Sequence, residues 1–370
     1  MGISFSVKEF AVSLANVCGV VSSKNTMPIL SNVCVEVISK DACTLMASDG
    51  EIWLSVRASL LSGDVGLRFC VDALDFLKVL RNLGDIEVNC DVNFEKSTLT
   101  CVHPTGNFTL PCLGVNDFPK PVELGSDIIG DTSLKLGAFN SAINAVRFCT
   151  AEETLRPTLN GVNVVFGSSG MTTVATDGNR LARYFDENIV IDGDFSFILP
   201  KKAIQSLLLF GDDIGVHIRL DNRVIVVECY DFKMTSRLIE GRYPNYNSVI
   251  PQSSDLRATF AKNDVITALR RVIPLGNNTS QLTTISFTAD SFTIESCDID
   301  FNKSGREFVE CDYNGENLTI GFKGSSLVDV FTGVPNETIT MELTDASHAC
   351  VVHGGNRNEY LSVLMPMLID

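Results

Sequence analysis

Much of what enzymes usually need is missing from this 370-residue chain. It has only four histidines, at 103, 217, 348 and 353, and its twelve cysteines form no C-x-x-C pair that would complete a zinc site with them. No G-x-G-x-x-G run leads from a strand into a helix, and neither G-x-x-x-x-G-K-[ST] nor G-x-S-x-G occurs, so the usual nucleotide and hydrolase motifs are absent. Asp49, Asp177, Glu152 and Glu153 are the carboxylates nearest to an acid/base set, yet nothing pairs them with a base or a metal. No catalytic residue, metal or cofactor is therefore expected. No apolar run approaches the roughly 18 residues of a membrane span. Met1-Gly2-Ile3-Ser4-Phe5-Ser6 fits a loose myristoylation pattern, but it lacks a basic-then-apolar signal and reads as a first strand. Positive charge is scarce as well. A net charge of −16 argues against nucleic-acid binding over the whole surface, while leaving a local basic lining open.

What remains is core-forming material: 45% hydrophobic and 20% charged residues, without a disordered signature. The cysteines are scattered through apolar stretches, as reduced core residues of a cytoplasmic protein are. The length allows two or three domains.

The order of elements resolves the choice. A strand at 3–7 feeds a helix over 8–21, whose Phe10, Leu14 and Val17 share one face. Strands follow, and a second strand feeds a helix over 72–83. The same order returns with helices over 137–149 and 201–210, and again with helices over 262–273 and 325–331. The residues leading into the first helix of each unit are Val7, Leu136 and Phe260; those leading into the second are Val71, Leu199 and Phe322. Within each unit the two lead-ins are separated by 62–64 residues, so each unit itself has two similar halves. The chain is thus an α+β protein of three duplicated domains, at 1–124, 130–252 and 254–370, each with two helices on antiparallel sheets. The period is far too long for a solenoid.

Charge follows the same plan. The six helix segments sum to +6, chiefly from Lys135, Arg147, Lys201, Lys202, Lys262, Arg270, Arg271 and Lys323, while the rest of the chain carries −22. Each cation alone reads as a solvated helix face. Together on one surface they would receive phosphates without reading bases.

Two stretches stand out as candidates for binding. Thr176-Asp177-Gly178-Asn179-Arg180 is a sharp turn between strands, as Ser48-Asp49-Gly50 is in the first unit. The tail, Val363-Leu364-Met365-Pro366-Met367-Leu368-Ile369, is apolar: either a last docked strand or the adaptable wall of a peptide groove, since methionines repack around different ligands.

Five segments resemble the bacterial sliding clamps, the β subunits of DNA polymerase III. They are Met27-Pro28-Ile29-Leu30, Leu159-Asn160-Gly161, Val174 through Ala182, Gly241-Arg242-Tyr243-Pro244-Asn245-Tyr246 through Val249-Ile250-Pro251, and Val363 through Met367. They span the chain in the family's order, and the threefold duplication agrees. The resemblance implies three DNA-clamp domains and a head-to-tail homodimer that closes into a ring. Helices would line its hole and sheets its rim. The ring would encircle double-stranded DNA without sequence preference and tether the replicative polymerase, catalysing nothing. The resemblance further implies a groove for short linear motifs of the polymerase α subunit, the clamp loader, other polymerases and repair proteins. That groove would be built by Leu159, Thr176, Gly178, Asn179, Arg180, Leu181, Pro244, Val249, Val363, Met365, Pro366 and Met367. Asn179 stands where many members have histidine, and Ser248 where some have a basic residue. The tail runs one or two residues past the family's usual end. Lys24, Arg147, Lys201 and Lys202 would face DNA. The ring joint would bring Phe108 and Leu110 against the helix end at Ile273 and Leu275. An interaction scaffold that uses the groove without holding DNA is the alternative that the −16 charge suggests.

Overall fold

The computed structural model describes every residue except 23–26, 153–154, 192, 253 and 370, so Lys24, Glu153 and Asp370 lie outside the described residues. The architecture is α+β with antiparallel strand pairing, as the repeated pattern implies. Among the described residues six α-helices occupy the six expected places: α1 Val7–Cys18, α2 Ala73–Arg81, α3 Leu136–Asn144, α4 Lys201–Leu207, α5 Lys262–Val272 and α6 Gly324–Gly333. In α1 the buried residues are Val7, Phe10, Leu14, Val17 and Cys18, the face that its spacing marks. Phe10 stacks on Phe5 of the preceding strand and meets Phe76 of α2 edge-on, so α1 and α2 share one apolar contact. Phe260 and Phe331 bring α5's lead-in strand and α6 together in the same way. Asp72 caps α2 by accepting from the Asp75 amide at 2.9 Å.

Five of the six helices end sooner than their apolar patterns suggest, α2 at Arg81 and α5 at Val272 among them. α1 stops at Cys18, α3 gives way to a 3-10 turn at Arg147–Cys149, and α4 stops at Leu207. After α5 the chain tightens into a 3-10 turn at Ile273–Leu275, because Pro274 has no N–H for the helical ladder. Three strands are not apparent in the sequence, the two-residue pieces Ser62–Gly63 and Asp312–Tyr313 and one longer strand. Lys303–Glu310 pairs with Ser291–Asp298 at the edge of a sheet. Only Val309 of it is buried, so its composition carries little apolar alternation.

The residues gather into two compact units. One comprises Met1–Asn140 with Lys202–Leu238, and the other Ser141–Lys201 with Ile239–Asp370. The division cuts through the second sequence repeat, because sheets run from repeat to repeat. In the first unit, thirteen strands form one sheet; in the second, there are sheets of nine and four strands. The joins are alike. In the first unit, Phe232–Arg237 pairs with Ile52–Ser59, with Phe232 opposite Val56 and Ser236 opposite Ile52. In the second, Tyr360–Leu364 pairs with Arg180–Asp186, with Tyr360 opposite Tyr184 and Leu364 opposite Arg180. Each of these residues lies 128 positions after its counterpart, so the two joins share one register. A one-residue slip would turn every side chain to the other face, so register is what the buried pattern holds fixed.

All twelve cysteines are free; nine are buried, and Cys297 is exposed. Among the described residues no helix is long and apolar enough to cross a membrane, and no cluster of ligating side chains would hold a metal.

Candidate functional site

The turn after Gly170–Thr176 is fastened by its own side chains. Asp177 Oδ1 accepts from the amides of Asn179 at 2.9 Å and Arg180 at 3.0 Å, while Thr176 Oγ1 accepts from the Gly178 amide at 3.1 Å and donates to the Arg180 carbonyl at 2.7 Å. Gly178 has φ +95°, a left-handed conformation that suits glycine. The turn in the first repeat has the same construction. Asp49 Oδ1 accepts from Glu51 and Ile52, Ser48 Oγ accepts from Gly50, and Gly50 has φ +94°.

The two turns differ in what they reach. Arg180 projects to one side with 16% of its side chain exposed; its Nε donates to Asp177 at 3.0 Å and its Nη1 to Asp329 of α6 at 2.6 Å. Its guanidinium lies over the Phe148 ring at 5.8 Å. Burial works against the charge of Arg180, but the bond to Asp329 and the nearby Asp177 outweigh it, and the guanidinium is held ionised. Asp49 instead accepts from Lys202 Nζ at the start of α4. Both turns therefore clasp the second helix of the following repeat, one with a carboxylate and the other with a guanidinium.

Leu181 and Val363 sit opposite each other in the join, and both are buried beside Val174, Val351 and Leu361. Tyr243, Tyr246 and Ile250 of the connecting segment pack against this cluster. Leu159, buried in the 3-10 turn Pro157–Asn160, accepts from the Ala151 amide at 2.8 Å. Pro244 is exposed, as is Val249, and Met365 is half-exposed. The tail is tied at two points: the Met365 amide donates to the Asn179 carbonyl at 2.9 Å and the Met367 amide to the Gly321 carbonyl at 2.7 Å. Pro366 lies between these ties. The turn, the join and the tail thus make one continuous neighbourhood with an apolar floor and exposed apolar edges. Phe148, Arg156 and Asp329 belong to it and were not apparent in the sequence. Arg156 Nη1 stands 3.6 Å from where a side chain on Gly178 would begin. No local spacing relates these residues to the turn; only the fold brings them there.

The basic residues divide. Arg147 is exposed, its Nε donating to Asn144 at 2.7 Å, and Lys201 is partly exposed beside Glu152 at 3.4 Å. Other helix cations have structural partners. Lys202 is bound to Asp49, Lys262 Nζ donates to the carbonyls of Thr332 at 3.0 Å and Val334 at 2.5 Å, and Arg271 forms a two-bond pair with Glu307. Helix charge summed from the sequence therefore overstates what is free for an anionic ligand.

Asp49 is nearly buried, which opposes its charge; Lys202 and two backbone amides outweigh that and hold its carboxyl below the usual range. A depressed folded pKa contributes stability above the unfolded value, lost as pH falls through the folded value. Asp49→Asn is expected to cost about 1–3 kcal/mol at neutral pH. In urea unfolding, the deficit should hold steady down to about pH 4, near the ordinary Asp value, and shrink below it. A deficit that is the same at every pH would show that the ion pair contributes nothing.

Family models of the DNA polymerase III beta subunit match along the chain: the N-terminal domain over residues 1–122, the central domain over 133–245 and the C-terminal domain over 247–368. The chain belongs to the DNA polymerase III beta subunit family; it is a DNA sliding clamp of three clamp domains, an accessory processivity factor and not a catalytic enzyme. The beta sliding clamp of Haemophilus influenzae is 28% identical over 99% of this chain and 100% of its own. That of Pseudomonas aeruginosa is 29% identical over 95% of both. Crystal structures of the Pseudomonas aeruginosa and Bartonella birtlesii clamps, each bound to griselimycin, match with TM-scores of 0.89 and 0.90 at 28% and 27% identity, covering 100% of both chains.

Proposed function

We propose that two copies of this chain close head to tail into a ring around duplex DNA, in the cytoplasm, and carry partner proteins by their short motifs. The observation that carries this reading is the repeated join. In the two joins within one chain, the strands Ile52–Ser59 and Arg180–Asp186 each have a partner on both sides, as do Phe232–Arg237 and Tyr360–Leu364. Two corresponding strands are left half-paired. Among the described residues Lys303–Glu310 pairs only with Ser291–Asp298, and Gly106–Leu113 is open on one side over most of its length. A second copy would pair these two edges as the chain pairs the others, hiding both. Leu275 supports this: its Cδ1 lies 2.7 Å from where a side chain on Gly305 would begin, so the helix end at Ile273 and Leu275 backs the Lys303–Glu310 strand. The joint is then strand to strand, with Phe108 and Leu110 on one side and that helix end beneath the other.

In this reading the three domains run over 1–124, 130–252 and 254–370. Arg147, Lys201 and the half-exposed Lys202 face DNA and hold it through phosphates alone, which lets the ring slide. The polymerase α subunit, the clamp loader, other polymerases and repair proteins seat their motifs on Leu181, Val363, Leu159, Pro244, Val249 and the Met365-Pro366-Met367 tail, beside Thr176, Gly178, Asn179 and Arg180. Tethering raises the effective concentration of a polymerase at its template without any new contact to it. Two similar clamps solved with griselimycin bound support a ligand-receptive clamp surface. The test is retention on DNA. After loading, the protein should stay on a closed circle through gel filtration and leave once the circle is cut. Equal loss from both forms would overturn the ring.

A further inference from the structure

The sheet face beside Leu181 and Val363 has a counterpart at the first join. Met46 lies opposite Ser55 as Val174 lies opposite Arg183, and Thr235 pairs with Trp53 and Val226 as Val363 pairs with Leu181 and Val351. In both places the connecting segment returns over this face. Tyr243 packs on Val174 and its neighbours, and Phe118 packs on Cys34 and Cys70, with Trp53 Nε1 donating to the Pro119 carbonyl at 3.0 Å. At the first join, segment and sheet enclose a cleft of about 870 Å³.

The chemistry of this cleft is its own. Its apolar lining includes Met46, Val115, Phe118, Val122, Leu124 and Val226. Four cations line it, Arg68, Lys120, Arg219 and Lys233, against two carboxylates, Glu36 and Glu123. Arg68 pairs with Glu36 at 3.6 Å, but Arg219 and Lys233 share one carboxylate, Glu228, at 2.5 and 3.1 Å. Even with Glu228 included, the cleft is positive in a chain of net charge −16. Arg219 lines the cleft with 36% of its side chain exposed, so its guanidinium can meet an acceptor besides Glu228.

We propose that this cleft is a second docking site, for an acidic linear peptide. One apolar side chain would sit on Met46 and Phe118, flanked by carboxylates that meet Arg219 and Lys233. A nucleic-acid strand fits less well, because its phosphates would find no use for the apolar floor and would face Glu36 and Glu123. The inference rests on the shape and charge of the cleft itself and stands apart from the groove at Leu181 and Val363.

The test uses the full chain and a fluorescein-labelled peptide, Asp-Asp-Leu-Phe-Glu-Glu, read by anisotropy. The peptide should bind, and a chain ending at residue 364 should bind it equally well. Arg219→Gln with Lys233→Gln should weaken binding at least about 10-fold, since each lost charge-assisted bond contributes roughly that much. Lys120→Glu, on an exposed side chain that leaves packing untouched, should weaken it in the same direction. The proposal is overturned if no binding is seen at millimolar peptide, if truncation at 364 abolishes it, if a Lys-Lys-Leu-Phe-Lys-Lys peptide binds as tightly, or if a duplex oligonucleotide displaces the peptide.

Discussion

Replacing Phe108 and Leu110 together with aspartate is expected to leave a 40.2-kDa monomer that no longer stays on circular DNA. The two side chains lie on the core side of their strand, opposite the buried Cys101 and Leu99, yet they remain only half-buried in the single chain. Covering such side chains contributes about 1.5–3 kcal/mol each, and a two-joint ring contains the pair twice. Two carboxylates at the joint would also lose water without gaining a partner, a cost of several kcal/mol per buried ion. Sedimentation equilibrium at micromolar concentration should report a monomer for the variant and a dimer for the unaltered protein, with circular dichroism unchanged. Alanine at both positions should give an intermediate, concentration-dependent dimer. A variant that stays dimeric with both aspartates would place the joint elsewhere.

Removing residues 365–370 should abolish motif-peptide binding while leaving the ring closed. The deleted stretch begins just past the paired strand Tyr360–Leu364, so the join and its buried cluster stay intact. What disappears is the half-exposed Met365, the ties to Asn179 and Gly321, and the apolar wall they position. A loss of at least about 100-fold is expected, or about 2.7 kcal/mol. Gly321→Val offers a second route. A side chain there would begin 2.9 Å from the Met367 carbonyl and from Ile369, forcing the tail off without shortening it. Isothermal titration with a polymerase-derived motif peptide is the measurement, and unchanged affinity in both variants would refute the groove.

The sequence conveyed the repeat because lead-in strands and helices recur at matched spacing, and spacing survives where individual residues differ. Val7, Leu136 and Phe260 each lead into an α-helix, and so do Val71, Leu199 and Phe322. It conveyed less about edges and partners. Lys303–Glu310 escaped notice because a strand exposed along most of its length needs no apolar alternation. Apolar spacing also continues through the 3-10 turns that follow α3 and α5, so it points to helix beyond their ends. Summed helix charge was a poor guide to free charge, since Lys202, Lys262 and Arg271 each hold a structural partner far away in sequence. The same limit hid Asp329, which meets Arg180 from 149 residues away. Local pattern records what a residue prefers. Its ion-pair partner is decided by the fold.

The shared register of the joins has a kinetic consequence. A join inside one chain reopens and recloses as a unimolecular event, because the connecting segment keeps its two edges close at any dilution. In a two-copy ring, parting a single joint between copies is also unimolecular, since the other still holds the ends together. Only the simultaneous loss of both joints releases free chains and makes reassembly depend on concentration. Transient opening for passage onto DNA should therefore reseal at a rate independent of protein concentration, while reassembly from separated chains should slow as the protein is diluted.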